Sequence, residues 1–126
     1  MENRTGELKS RTKKFAVDII RLFRSLPRAE DVRIVAKQLL RAGTSVAANY
    51  RAVCRARSRA EFIAKIGIVA EEADDTVFWL ELLVESGMAQ QNLVAPVAKE
   101  ANELLAIFAA SQRTARQGVK IESVRH

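Results

Sequence analysis

The residues that could do chemistry in this chain are arginines and lysines set along one helical face. Arg33, Lys37, Arg41, Arg51 and Arg55 recur at spacings that fall within a sector of about 80° on a helix turning about 100° per residue. Arg57 and Arg59 carry the same charge into the turn that follows. Cationic groups in such a row match the footprint of a surface that contacts phosphates. The same row also serves as the solvated face of an amphipathic helix, or as a dock for an acidic protein. Aromatic side chains interleaved for base stacking are missing from the stretch, apart from Tyr50.

A second set has the opposite charge. Between Gly67 and Glu85 the chain carries six acids (Glu71, Glu72, Asp74, Asp75, Glu81 and Glu85) and no base. Carboxylates on a bundle helix can hold metal ions, but di-iron bundles pair them with a histidine three residues on. The single histidine here is His126, in the tail, so neither metal nor cofactor is expected. Balancing arginines on a neighbouring helix or subunit is the simpler role for these acids. Phosphate-cradling glycine loops and nucleophiles with a histidine partner are also missing. Thr44 and Ser45 read as ordinary helix hydroxyls, and no enzyme is expected.

Composition narrows the class further. The 126 residues suffice for one domain with a real core. A formal net charge of +6 favours nucleic acid or an acidic partner. Cys54, the single cysteine, rules out an internal disulfide and a cysteine-based metal site, and reads as a small apolar residue. With a polar start and no long apolar run, the expected location is the cytoplasm, with no membrane partner.

The elements that must position these groups are helices, since two prolines and five glycines are too few to punctuate a set of strands. Apolar spacing predicts helices over about 7–25, 29–56, 59–86 and 92–117, with 119–126 left as a frayed tail without periodicity. Phe15, Ile19, Leu22 and Leu26 form the first seam, which Pro27 ends. The second seam is Val32, Val35, Leu39, Ala42, Val46, Asn49 and Val53. Ser58 and Glu61 form a capping box for the third helix, whose seam is Phe62, Ile66, Val69, Ala73, Thr76, Leu80 and Leu83, with Gly87 as its left-handed cap. The fourth seam runs Val97, Ala101, Leu104, Phe108, Ser111 and Ala115, with Pro96 in the tolerant first turn and Gly118 as the stop.

Short connections between such helices predict an antiparallel up-down-up-down four-helix bundle, an all-α fold. The two central helices would each span about 40 Å at a rise of about 1.5 Å per residue, so the turn from Arg55 to Arg59 would project at one end as an elbow.

The third helix also carries apolar residues away from its seam: Ile68, Trp79 and Leu82, with Phe78 at the margin and the acids Glu71 and Asp75 beside them. Exposed together they would form a patch larger than scattered surface residues make, so Ile68, Asp75, Phe78, Trp79 and Leu82 are candidates for a self-association surface. The alternative is that a neighbouring helix covers them. On the second helix Ala36, Gly43, Ala47 and Cys54 would permit close backbone approach, and Gly43 reads as a packing choice. Asn49 on the seam could fix register.

One segment is recognisable. Leu40-Arg41-Ala42-Gly43-Thr44-Ser45-Val46-Ala47-Ala48-Asn49, followed by Arg57-Ser58-Arg59-Ala60-Glu61-Phe62, resembles the four-helix-bundle proteins encoded in intervening sequences of bacterial 23S ribosomal RNA genes. Glu71-Glu72-Ala73-Asp74 and Trp79-Leu80-Glu81-Leu82 match that family's acidic, leucine-rich third helix, and the likeness extends from about Phe15 to Ala115. Many members follow the asparagine with Ile-Ala-Glu-Gly, where this chain has Tyr50-Arg51-Ala52-Val53 and a more basic elbow. The resemblance implies a ring-shaped homopentamer without enzymatic activity, as in the related accessory proteins of diversity-generating retroelements, which look like basic nucleic-acid-binding barrels.

The expectation is therefore a cytoplasmic, non-enzymatic basic homo-oligomer binding RNA or DNA through Arg33, Lys37, Arg41, Arg51, Arg55, Arg57 and Arg59. The rival reading is a protein-interaction or scaffold module with no nucleic-acid role. No small-molecule substrate is indicated.

Overall fold

In a computed structural model the chain is described over residues 3–125, with side chains over 5–118. Four helices follow one another: α1 (Asn3–Ser25), α2 (Glu30–Val53), α3 (Arg59–Glu85) and α4 (Gln91–Arg125). There is no strand among the described residues. Each helix packs on its chain neighbour, α1 on α2, α2 on α3 and α3 on α4, and a looser α1–α4 pairing closes the square.

The stops are those of the chain's own chemistry. α1 ends at Ser25, two residues before Pro27. α2 ends at Val53, a little short of the expected 56, because the chain must turn extended to present the α3 cap. Ser58 sits in extended conformation, and its hydroxyl accepts from the Glu61 amide at 3.0 Å. The Glu61 carboxylate reaches back one residue further than the expected box, accepting from the Arg57 amide at 2.6 Å. Gly87 caps the end of α3 with φ of 78°, a conformation that costs glycine nothing.

α4 departs from expectation. It starts at Gln91, which puts Pro96 in its second turn, and it passes through Gly118 to end at Arg125. Extending a formed helix is far cheaper than nucleating one, so a single glycine costing about 1 kcal/mol does not stop it. The expected frayed tail, 119–126, is thus helical to Arg125, its last residue, His126, lying outside the described residues. With 35 residues against 24 and 27 for the central pair, α4 is the longest element. Gly118 already adjoins Arg59, so α4 runs on past the elbow, and the elbow is not a lone projecting tip.

The core follows the seams: Phe15, Ile19, Leu39, Val46, Ile66, Val69, Leu80, Leu83, Leu104 and Phe108 are fully buried. The second seam needs two corrections: Val35 is only half-buried, with Ala36 buried in its place. Asn49 is only half-buried, and Tyr50 takes the central place at 6% exposure, its ring 5.6 Å from that of Phe108 across the bundle. Buried Thr12 and Thr76 hydroxyls donate to the carbonyls of Leu8 (2.8 Å) and Glu72 (2.7 Å), one turn back. The α1–α4 side is tied by Arg11, which grips both Glu100 oxygens at 2.6 and 2.8 Å and one Glu103 oxygen at 2.8 Å.

Candidate nucleic-acid interface

The expected basic row of α2 divides into two parts. In its first half Arg33 is half-buried, with its guanidinium 5.6 Å from the centre of the Phe23 ring on α1. Arg41 pairs with Glu72 of α3 at 3.3 Å, and only Lys37 stands fully exposed without a partner among the described residues. Arg33 keeps its charge over a neutral ring but lies against α1, and the Arg41 charge is partly offset by Glu72.

The second half is more open. Arg51, Arg55 and Arg57 are exposed and make no side-chain ion pair among the described residues. Arg59 is exposed at the start of α3 and lies against Gly118 of α4. Because α1 runs antiparallel to α2, its N-terminal half lies beside this end. There Lys9, Ser10 and Lys13 face Ala47, Ala48 and Arg51 across a groove of about 440 Å³. Lys9 and Lys13 are not among the residues expected from sequence. Their spacing of four, one helical turn, is the available signal, but only the antiparallel register brings them to Arg51.

The acid at the elbow is already occupied. The Glu61 carboxyl is held below its ordinary pKa, chiefly by the Arg57 backbone N–H and then by Lys65, whose ammonium is 3.1 Å away. Elsewhere, the Arg11 guanidinium is held above its ordinary value, first by its hydrogen bonds to Glu100.

The apolar residues expected at a self-association surface share one sector of α3, about 100° wide at about 100° per residue. Ile68 and Phe78 are 48% and 52% exposed, Asp75 is exposed, and Trp79 and Leu82 are half-buried. Phe78 and Trp79 meet edge to face, ring centres 4.9 Å apart and planes at 73°. Trp79 also leans on the core, so the bundle covers part of this set and leaves Ile68 and Phe78 open. The acids of α3 form no candidate metal cluster among the described residues. Cys54 is half-buried against the core. No helix among the described residues is long and apolar enough to cross a membrane.

These features can be set beside known proteins. No curated protein matches the chain. A crystal structure of a protein of unknown function from the S23 ribosomal protein family of Bacteroides thetaiotaomicron is similar to it, with a TM-score of 0.76 and 33% identity over 82% of this chain and 96% of that one. The family described as 23S rRNA-intervening sequence protein matches residues 5–110, the body of the bundle from α1 through most of α4. The pair Arg41–Glu72 joins α2 to α3 within that span, and on the strength of that match the chain belongs to the 23S rRNA-intervening sequence protein family.

Proposed function

We propose that this protein is a non-enzymatic, cytoplasmic helical oligomer that binds RNA or DNA through phosphate contacts at the basic end of its bundle. The observation that carries the reading is the run of Arg51, Arg55, Arg57 and Arg59 from the last turn of α2 through the elbow to the start of α3. Glu61, the acid in the first turn of α3, is already bonded to the Arg57 amide and Lys65. Lys37 extends the surface along α2, while Arg33 lies against the Phe23 ring and the Arg41 charge is partly offset by Glu72. Contacts of this kind hold the sugar-phosphate backbone and carry no sequence information.

The oligomer is proposed as a closed homopentamer with Ile68, Asp75, Phe78, Trp79 and Leu82 at the contact. The open Ile68 and Phe78 support an association surface. The ring and its number rest on the resemblance to accessory proteins of diversity-generating retroelements. The same surface favours a second reading, a scaffold module whose arginines only keep it soluble.

Binding of RNA and DNA measured at two salt concentrations separates the readings. Affinity that falls steeply with salt and collapses when Arg51, Arg55, Arg57 and Arg59 are all replaced by alanine supports the site. Binding that survives those four replacements rejects it, and no binding at low salt favours the scaffold.

A further inference from the structure

We propose that the α1–α2 groove lined by Lys9, Lys13 and Arg51 is a phosphate track, and that its ligand is the backbone of a nucleic-acid duplex rather than a single strand. This rests on the nucleic-acid reading above and adds both residues and ligand class to it.

Three observations lead there. First, Lys9 and Lys13 stand one turn apart on α1, about 6 Å along its axis at about 1.5 Å per residue, and Arg51 faces them from α2 across the groove. All three are exposed, and among the described residues none makes an ion pair. Arg11 and Lys14, on the same helix, are by contrast neutralised by Glu100, Glu103 and Asp18. Glu7 is the one acid between positions 5 and 17, and at about 100° per residue it points a third of a turn or more away from both lysines.

Second, the floor of the groove is small. Ala47 and Ala48 leave room for a bulky phosphate between the two helices, and the Ser10 hydroxyl adds a neutral donor. Arg55 and Arg57 continue the line of positive charge beyond Arg51 onto the elbow.

Third, the face has nothing on which to stack a base. Tyr50, the aromatic nearest in sequence to Arg51, is buried against Phe108. Phe15 is buried in the core, and Phe23 lies half-buried under Arg33. Phe62 lines a different groove, between α3 and α4. Phe78 and Trp79 stand on α3 among acids. Single-strand binders draw about 1–3 kcal/mol per base from aromatic stacking, which this surface cannot supply. Cations fixed on two rigid helices instead suit a ligand that holds its phosphates at fixed spacing, as a duplex does.

The test titrates the full-length protein with a short DNA duplex, an RNA duplex of the same sequence and the separated strands. It compares the unaltered chain, K9A/K13A and R55A/R57A, each checked for helix content by circular dichroism. The expected result is tighter binding of duplexes than of strands. K9A/K13A should weaken duplex affinity about tenfold and reduce the slope of log affinity against log salt by about 2, since each phosphate no longer neutralised removes about 0.9. DNA and RNA duplexes binding alike mean the shared backbone is read, and a preference for either assigns the duplex type within the same site. Unchanged duplex binding in K9A/K13A alongside weakened binding in R55A/R57A overturns the track but leaves the elbow. Single strands binding more tightly than duplexes overturn the ligand class. No binding of any probe overturns the parent reading and the track together.

Discussion

The Cβ that Gly43 lacks would lie 2.8 Å from Cγ1 and 2.9 Å from Cγ2 of Ile19, so α2 approaches α1 as closely as a glycine permits. Ile19 is fully buried and β-branched, with its γ carbons close to the backbone, and has no free rotamer to yield into. Gly43→Ala gains about 1 kcal/mol of helix propensity but forces overpacking that costs about 1–3 kcal/mol. The expected net is a loss of about 1 kcal/mol, read as a lower urea midpoint at unchanged slope. Against an Ile19→Ala background, which lacks both crowding γ carbons, the added loss from Gly43→Ala should shrink.

Arg11 is the polar tie between α1 and α4, the loosest pairing in the bundle. Arg11 and Glu100 are each about a third exposed, so solvent screens the bond and its value stays near that of a good surface pair. Arg11→Ala should cost about 0.5–1 kcal/mol. In a domain of this size that lowers the melting temperature by about 2–5 °C. High salt should narrow the gap between the variant and the parent.

The elbow should respond to acid through Glu61. Its folded pKa is depressed, chiefly by the Arg57 backbone N–H. The stabilisation is therefore present above the ordinary glutamate pKa, and it is lost as pH falls through the lower folded value. Hydrogen exchange at the Arg57 amide should quicken, relative to the intrinsic rate, over that acid range and not near neutrality. Ser58→Ala removes the other half of the cap and should cost about 1 kcal/mol, whereas Ser58→Asp should keep most of it.

Association should turn on Phe78. It is more than half exposed and rests against Trp79 at 4.9 Å. Phe78→Asp is expected to shift the light-scattering mass from oligomer to monomer with little change in helix content, because the core packing stays intact. An unaltered oligomer in that variant would place the association surface elsewhere.

The helices are legible in the sequence because each starts or stops on a residue with a local reason: Pro27, Ser58 with Glu61, and Gly87. Gly118 misleads, since a glycine stops a helix only where the chain needs the left-handed turn, and here α4 continues. The seam pattern assigns Asn49 the core place that Tyr50 holds. The buried residues Val32, Ala36, Leu39, Gly43, Val46, Tyr50 and Val53 alternate steps of four and three, so a seam read with three before four lands on Val35 and Asn49 instead. On the basic face, charge and period find the residues of α2, but their partners are invisible. Nothing near Arg33 or Arg41 in sequence signals Phe23 or Glu72, and Lys9 and Lys13 join Arg51 only through the antiparallel register.

The placement of the chain's single tyrosine and single tryptophan has an optical consequence. Tyr50 is sealed against Phe108 inside one bundle, while Trp79 sits half-covered on the outer side of α3. Near-ultraviolet dichroism of the tyrosine therefore reports whether the core is intact, and the emission wavelength of the tryptophan reports what covers the outside. Diluting the protein should shift the tryptophan emission to the red while the tyrosine band holds, and heating should abolish the tyrosine band. The two residues let assembly and unfolding be followed separately in one unlabelled sample.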